Sequence, residues 1–331
     1  MNNIWYKKNI FQYLLFPFLL IYRVIIFIRY YLYKKNIFKS YKINAPVIVV
    51  GNISVGGTGK TPLVIALVNE LKENGFFPGV ISRGYGGKSK KSPIFVDQNS
   101  DPNLVGDEAI LIAKKTDVPV VVGANRVDDA KKLLEMKCNV VISDDGLQHY
   151  ALQRDIEIAV IDGTRGFGNG FCLPAGPLRE PISRLRLVDF ILINGNALMH
   201  IARLPKGVSL TAATHIHFTI DDFVNIHNEN KKLNLSELKN KKIIAVAGVG
   251  NPERFFNSLR TVGIVFSTKI FPDHHAFEKK DFESIADDII IMTEKDAVKC
   301  NAFSDDRFYM ARGHINVDDV FFQAVMRELK K

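Results

Sequence analysis

The chain has 331 residues, more than one hydrophobic core usually supports, so two lobes of ordinary size are expected. With 47% hydrophobic and 24% charged residues it is neither disordered nor fibrous, and its three scattered cysteines, Cys138, Cys172 and Cys300, lack the close pairs of zinc or redox motifs and fit a reducing cytoplasm. The formal charge of +9 is concentrated: residues 1–42 hold eight lysines and arginines and no acid, leaving 36 bases against 35 acids elsewhere, too even a balance for a nucleic-acid motor.

Those 42 residues, Lys7 and Lys8 among them, also carry thirteen of the 34 aromatics. From Ile10 to Ile28 the chain is apolar all round apart from Gln12, Pro17 and Arg23, too sticky for an exposed soluble helix. A spanning helix would contain Arg23 and have bases on both flanks, which removes the orientation bias that favours crossing. A signal peptide lacks its small-residue cleavage site, and a helix buried in the protein would have to bury bases without acids. A helix lying in one leaflet meets the fewest objections, with aromatics at headgroup depth and bases on anionic lipid phosphates. The protein is thus expected to be peripheral or monotopic; the residues alone leave the spanning alternative open.

After Lys42, short β-branched runs alternate with helical stretches, the pattern of parallel βαβ units. Strands are expected at Val47–Val50, Gly79–Ser82, Val118–Val122, Val140–Ser143, Ile156–Ile161 and Phe190–Ile193. Gly195, Pro205 and Gly207 then break the pattern, and Ser209–Ile220 alternates like an extended linker. A smaller set follows, with strands at Ile243–Ala247, Val265–Phe271, Ile289–Met292 and Phe308–Ala311 and helices beginning near Pro252, Glu278 and Glu294. Asp318–Leu329 closes the chain as a helix with acids first and bases last, as the helix dipole prefers. The expected fold is α/β, two lobes each with a mostly parallel sheet, behind an N-terminal membrane-associated helix. The divisions are residues 1–42, a first lobe at 43–207, a β linker at 208–220 and a smaller lobe at 221–331, whose last helix can pack back on the first lobe.

Val47–Leu71 carries the strongest chemical signal: a buried strand, the turn Ser54-Val55-Gly56-Gly57-Thr58-Gly59, then Lys60 and Thr61 opening an amphipathic helix. Glycines let backbone N–H groups turn onto phosphate oxygens, and the helix start adds its positive end. Lys60 then reaches the β- and γ-phosphates of ATP, and the Thr61 hydroxyl ligates Mg²⁺. One departure is that Ser54 stands where such loops usually have glycine. In Val140–His149 an apolar strand ends in Asp144 and Asp145, which beside such a loop suit Mg²⁺ or its waters, although a bare Asp-Asp-Gly is also an ordinary turn. Asp107 and Glu108 open a helix, where acids are commonly caps or dipole partners. The adjacent His274 and His275 lack a third ligand nearby and make a weak zinc site.

SVGGTGKTP, SRGYGG (Ser82–Gly87), VGDE, DDGLQH, LPAGPLRE (Leu173–Glu180), FPDHH and TEKDAVK (Thr293–Lys299) occur in an order that resembles the tetraacyldisaccharide 4'-kinase (lipid A 4'-kinase) family over nearly the whole chain. The resemblance implies transfer of the γ-phosphate of ATP to the 4'-hydroxyl of an acylated glucosamine disaccharide 1-phosphate, at the cytoplasmic face of the bacterial inner membrane in lipid A synthesis. It makes Lys60 and Thr61 the phosphate-loop lysine and magnesium hydroxyl, Asp144 and Asp145 the metal carboxylates, Asp107 the base and His274 the residue that orients it. Gln148 falls in the nucleotide and metal motif, and Arg179 and Glu180 where the family has charged active-site residues. Arg83 and Lys88 suit the substrate's 1-phosphate by residue type only, a basic loop serving as well, and Thr293–Lys299 has no assigned role beyond a capped helix start. A kinase of a soluble metabolite would not need residues 1–42, whereas a membrane-bound nucleotide switch would modify no lipid.

Overall fold

The computed structural model describes residues 5–6, 10–84, 93–195, 213–239 and 241–331. Helices α1 (Phe11–Leu14) and α2 (Phe16–Lys34) open it, with Pro17 in the first turn of α2, where no helical hydrogen bond is lost. The first lobe runs β1 (Val47–Gly51), α3 (Lys60–Glu73), β2 (Pro78–Ser82), β3 (Ile94–Val96), α4 (Pro102–Val105), α5 (Asp107–Thr116), β4 (Val120–Val122), α6 (Arg126–Glu135), β5 (Val140–Asp144), β6 (Ile156–Asp162) and β7 (Phe190–Asn194). Strands β1, β2, β5 and β6 are buried along their whole length, as parallel strands covered on both faces must be. Their side chains alternate between two cores: Ile48 and Val50 pack with Leu63 and Leu67 of α3, Val47 and Val49 with Leu133 of α6.

The second lobe comprises β8 (Thr214–Asn225), β9 (Lys232–Leu233), α7 (Leu235–Leu238), β10 (Ile243–Ala247), α8 (Pro252–Thr261), β11 (Ser267–Ile270), β12 (Ile289–Thr293), α9 (Glu294–Ala297), β13 (Phe308–Asn316) and α10 (Asp319–Leu329). Among the described residues the strands form one order, β11-β10-β12-β13-β8-β7-β6-β1-β5-β2-β4-β3, with β9 on β8. Pairing is parallel except for β3 on β4, β13 on β8 and β9 on β8. Strand β8 belongs to both lobes: Thr214–Ile216 pair in parallel with β7, and His217–Asn225 antiparallel with β13. A shift in register at Arg312/Gly313 bends β13 there, and a Cβ on Gly313 would lie 2.0 Å from the Thr219 carbonyl, so the crossing needs glycine. From α10, Phe321 and Val325 join the first-lobe core, the Phe321 ring meeting Phe190 edge-on at 5.4 Å.

The elements depart from expectation in several places. The extended stretch expected at Ser209–Ile220 is seen from Thr214 to Asn225, while its residues 209–212, with Pro205 and Gly207, lie outside the described residues. β13 runs on to Asn316 because the polar ARGHIN tail finds a partner in β8. The helix expected near Glu278 is a single 3-10 turn, Lys279–Asp281, closed by reciprocal bonds between Glu278 and Asp281. Val265–Phe271 and Val118–Val122 shorten to Ser267–Ile270 and Val120–Val122, and the edge strand β3 was not expected.

On α2, Leu19 is the buried side chain, whereas Phe18, Ile21, Ile25 and Phe27 are exposed. The opposite side is fastened to the first lobe, Tyr22 Oη donating to Arg179 O (2.9 Å) and Arg29 to Gln148 O (3.0 Å); ahead of the helix, Trp5 Nε1 donates to Pro174 O (3.0 Å). Lys7 and Lys8 lie outside the described residues.

Candidate active site

The phosphate loop is built from both sides. Gly56 (φ +100°) and Gly59 (φ +93°) take left-handed backbone, and a Cβ on Gly59 would fall 2.0 Å from Asn194 Nδ2, which donates to Thr58 O (3.0 Å) and ties the loop to the end of β7. Behind the loop, Val55 N donates to Pro177 O (2.8 Å) and Arg179 N to Ile53 O (2.7 Å). Ser54 is accommodated because it is buried in an extended bridge to Leu178 rather than turning in the left-handed region. Lys60 and Thr61 then open α3, whose first N–H groups and dipole favour an anion.

At the end of the neighbouring β5, Asp145 (φ +50°) accepts from Arg179 Nη1 at 2.8 Å and lies 3.4 Å from Lys60 Nζ. Burial alone would raise its pKa, but Lys60 and Arg179 outweigh it and hold the carboxyl far below its ordinary range. Asp144 is the opposite case. Burial first, then the negative charge of Glu108, pushes it up to about 7 despite Lys60 and Arg126. Neither of its carboxylate oxygens has a hydrogen-bond partner among the described residues, since Arg126 donates to the Asp144 backbone oxygen (2.9 Å). A dry, unpartnered carboxylate beside the Thr61 helix start fits a hard divalent cation that takes one or two carboxylates and completes its shell with phosphate oxygens. No cluster of three or more His, Cys, Asp or Glu side chains forms a ready metal cage among the described residues.

A second group crosses the lobe boundary. Asp107, buried at the start of α5, lies 3.2 Å from His274 Nδ1 on the loop after β11, the two being 167 positions apart in the chain. His274 takes φ +59° there, and its N–H donates to Gly248 O at 3.1 Å. Asp107 lines a cleft of about 80 Å³ with His274 and Lys299. The next residue, Glu108, walls a cavity of about 170 Å³ between the lobes, with Gly57–Thr61 on one side and Gly250, Arg254 and Phe255 on the other. Leu111, Phe218, Ala311 and Ile315 add apolar lining.

Other expected residues are placed as follows. Gln148 spends its side-chain amide on Asn52 O (3.1 Å) and Glu180 Oε2 (2.7 Å), bracing the base of the loop, and Tyr150 also donates to Glu180. His275 lies 2.9 Å from Asp281 and stacks on Phe271. Arg83 is exposed at the end of β2, and Lys88 with Tyr85, Gly86 and Gly87 of SRGYGG lies outside the described residues. Sequence inspection missed Arg126, Asn194 and Arg254. Asn194 and Arg126 abut a strand end or open a helix, a positional signal, but Arg254 reaches the loop only through the packing of the lobes.

The chain matches, over residues 11–330, the family model described as Tetraacyldisaccharide-1-P 4'-kinase (LpxK). A tetraacyldisaccharide 4'-kinase of Methylobacillus flagellatus is 44% identical over 329 residues, covering 99% of this chain and 95% of that one. One of Coxiella burnetii (strain RSA 331 / Henzerling II) is 46% identical over 319 residues, covering 96% and 91%. Among solved structures, LpxK from Aquifex aeolicus in complex with ATP superposes with a TM-score of 0.78 at 28% identity, over 97% of this chain and 100% of that chain.

Proposed function

The chain belongs to the tetraacyldisaccharide-1-P 4'-kinase family, and from that premise we propose that it transfers the γ-phosphate of ATP to the 4'-hydroxyl of a tetraacyldisaccharide 1-phosphate, a step of lipid A biosynthesis. The observation that carries the assignment of roles is the Asp107–His274 contact between lobes, on the helix whose next residue walls the phosphate-loop cavity.

Backbone N–H groups of Gly56, Gly57, Thr58 and Gly59 cradle the triphosphate, with Gln148 bracing the loop from below; Ser54 and Val55, expected among them, lie in the bridge to Leu178, where the Val55 N–H is spent on Pro177 O. Adenine suits the apolar lining of the cavity, to which Phe218 and Phe255 contribute. Thr61, Asp144 and Asp145 would hold Mg²⁺, which when bound would neutralise phosphate charge. Lys60 and Arg179 stabilise charge on the transferring group. Asp107 takes the proton of the 4'-hydroxyl as the hydroxyl oxygen bonds to the γ-phosphorus and ADP leaves; His274 orients the carboxylate.

The substrate's acyl chains explain the N-terminus, because each methylene drawn from lipid costs about 0.8 kcal/mol and favours work at the bilayer surface. With one side of α2 fastened to the first lobe and the other exposed and apolar, the helix suits a monotopic seat at the cytoplasmic face, where ATP is found, better than a span. After Lys42 the chain carries 36 bases against 35 acids, a balance that does not favour nucleic acid as a partner. The division proposed with it is the membrane segment 1–42, the ATP-binding lobe 43–207, a β linker at 208–220 that includes the start of β8, and the smaller lobe 221–331.

Incubating the full chain with MgATP and membrane lipid extract tests the assignment: one lipid should gain a phosphate as ADP appears. ADP release with no phosphorylated lipid would point to a nucleotide switch, and phosphorylation of a water-soluble compound to a metabolite kinase.

A further inference from the structure

The Thr293–Lys299 segment has no part in the chemistry described so far. Its start is a cap: Asp296 N donates to Thr293 Oγ1 (3.1 Å), and Asp296 Oδ2 accepts from Thr293 Oγ1 (2.8 Å) and Gly248 N (3.0 Å). A cap needs neither of the two lysines that follow. Both cross the lobe boundary instead. Lys299 Nζ lies 3.5 Å from Asp107 Oδ2 and 2.9 Å from Asp296 Oδ1, and the side chain is nearly buried, with Nζ over the Phe277 ring at 5.0 Å. Lys295 Nζ lies 3.0 Å from Glu108 Oε1, 3.8 Å from Asp273 Oδ1 and 3.9 Å from Asp107 Oδ1.

We propose that Lys299, seconded by Lys295, is a positioning residue for the phosphoryl transfer: it holds the Asp107 carboxylate ionised and in one orientation when the lobes meet. The proposal rests on Asp107 being the base. Both carboxylate oxygens are then engaged from fixed directions, Oδ2 by His274 and Lys299, Oδ1 by the Glu108 N–H (2.9 Å) and the more distant Lys295. Since the lysines and His274 come from the second lobe and Asp107 from the first, the base is completed only when the lobes are together.

The charged groups around Asp107 are Glu108 on its own helix and Asp273, His274, Lys295, Asp296 and Lys299 from the second lobe. Burial by itself would raise its pKa. The His274 hydrogen bond, then Lys295, the His274 charge and Lys299, outweigh burial and lower it. Losing a lysine therefore raises it, and the acid limb of turnover moves to higher pH.

The test is the pH profile of kcat for the full chain with MgATP and tetraacyldisaccharide 1-phosphate, in the parent and in Lys299→Met, Lys299→Arg and Lys295→Met. Lys299→Met should lower kcat with KM for ATP little changed and shift the acid limb up by about one pH unit, at the low end of what one nearby charge does to a carboxylate. Lys299→Arg should restore most of the limb's position, and Lys295→Met should shift it the same way but less. A Lys299→Met protein that melts like the parent and keeps its profile would overturn the proposal, as would a shift that Lys299→Arg fails to reverse. If Lys299→Met does not fold, Lys295→Met decides, an unshifted limb overturning the proposal. Failure of the base assignment is separate: it shows as parental turnover in Asp107→Asn.

Discussion

At the scale of single residues, the site sorts its charges by burial and partner. Lys60 shares Asp145 with Arg179, so removing it should leave the fold intact while stripping charge stabilisation from the transferring group. Lys60→Ala should lose about 10²-fold or more in kcat with an unchanged melting temperature; near-parental turnover would remove Lys60 from the chemistry. Asp144 gives a sharper expectation because its folded pKa, about 7, lies above the ordinary 3.8. Between those values the folded protein binds the extra proton, so stability falls as pH rises from about 4 to about 7 and stays reduced above that. Without divalent cations, Asp144→Asn should therefore melt above the parent at pH 8 and lose that advantage toward pH 5, while failing to transfer phosphate. Equal melting at both pH values would mean that Asp144 bears no such burden. The placements of Lys60 and Thr61 at a helix start, and of Asp144 and Asp145 at a strand end, were legible because each follows directly on its own apolar strand or loop in the chain. Those of Lys295, Lys299 and Arg254 were not, because their partners come from the other lobe.

At the scale of elements, α2 is apolar all round in sequence yet two-sided in the fold. Tyr22 and Arg29 could not be recognised as docking residues, since their acceptors are backbone oxygens at Arg179 and Gln148. Truncating the helix would also disturb those segments, so substitutions on the exposed side separate the two effects. Changing the exposed Ile21, Ile25 and Ile28 together to Ser should weaken vesicle binding about 10²-fold, at about 1 kcal/mol for each partly exposed isoleucine, and leave turnover on detergent-dispersed lipid near parental. Undiminished sedimentation with vesicles would place the membrane contact elsewhere. The parallel strands of both lobes were legible because burial on two faces forces continuous apolar runs. The length of β13 was not, because its polar half is strand only by virtue of β8.

At the scale of the whole molecule, β8 joins two sheets into one strand order, and α5 carries the acid that the second lobe surrounds. If Asp107 and His274 serve one proton transfer, their losses must not add. Asp107→Asn should cost about 10²-fold or more in single turnover at saturating MgATP, His274→Ala less, and the double variant scarcely more than Asp107→Asn; additive losses would mean independent roles. The end of β7 was legible from Gly195, which follows it directly, but the pairing of β8 with β7 and β13 lies too far apart in sequence for alternation to reveal. The most direct test supplies ATP labelled in its γ-phosphate with pure tetraacyldisaccharide 1-phosphate in vesicles and locates the label in the product. The label should lie wholly on the 4'-oxygen, with one ADP per phosphate transferred; label in inorganic phosphate alone, or on any other oxygen of the lipid, would contradict the account.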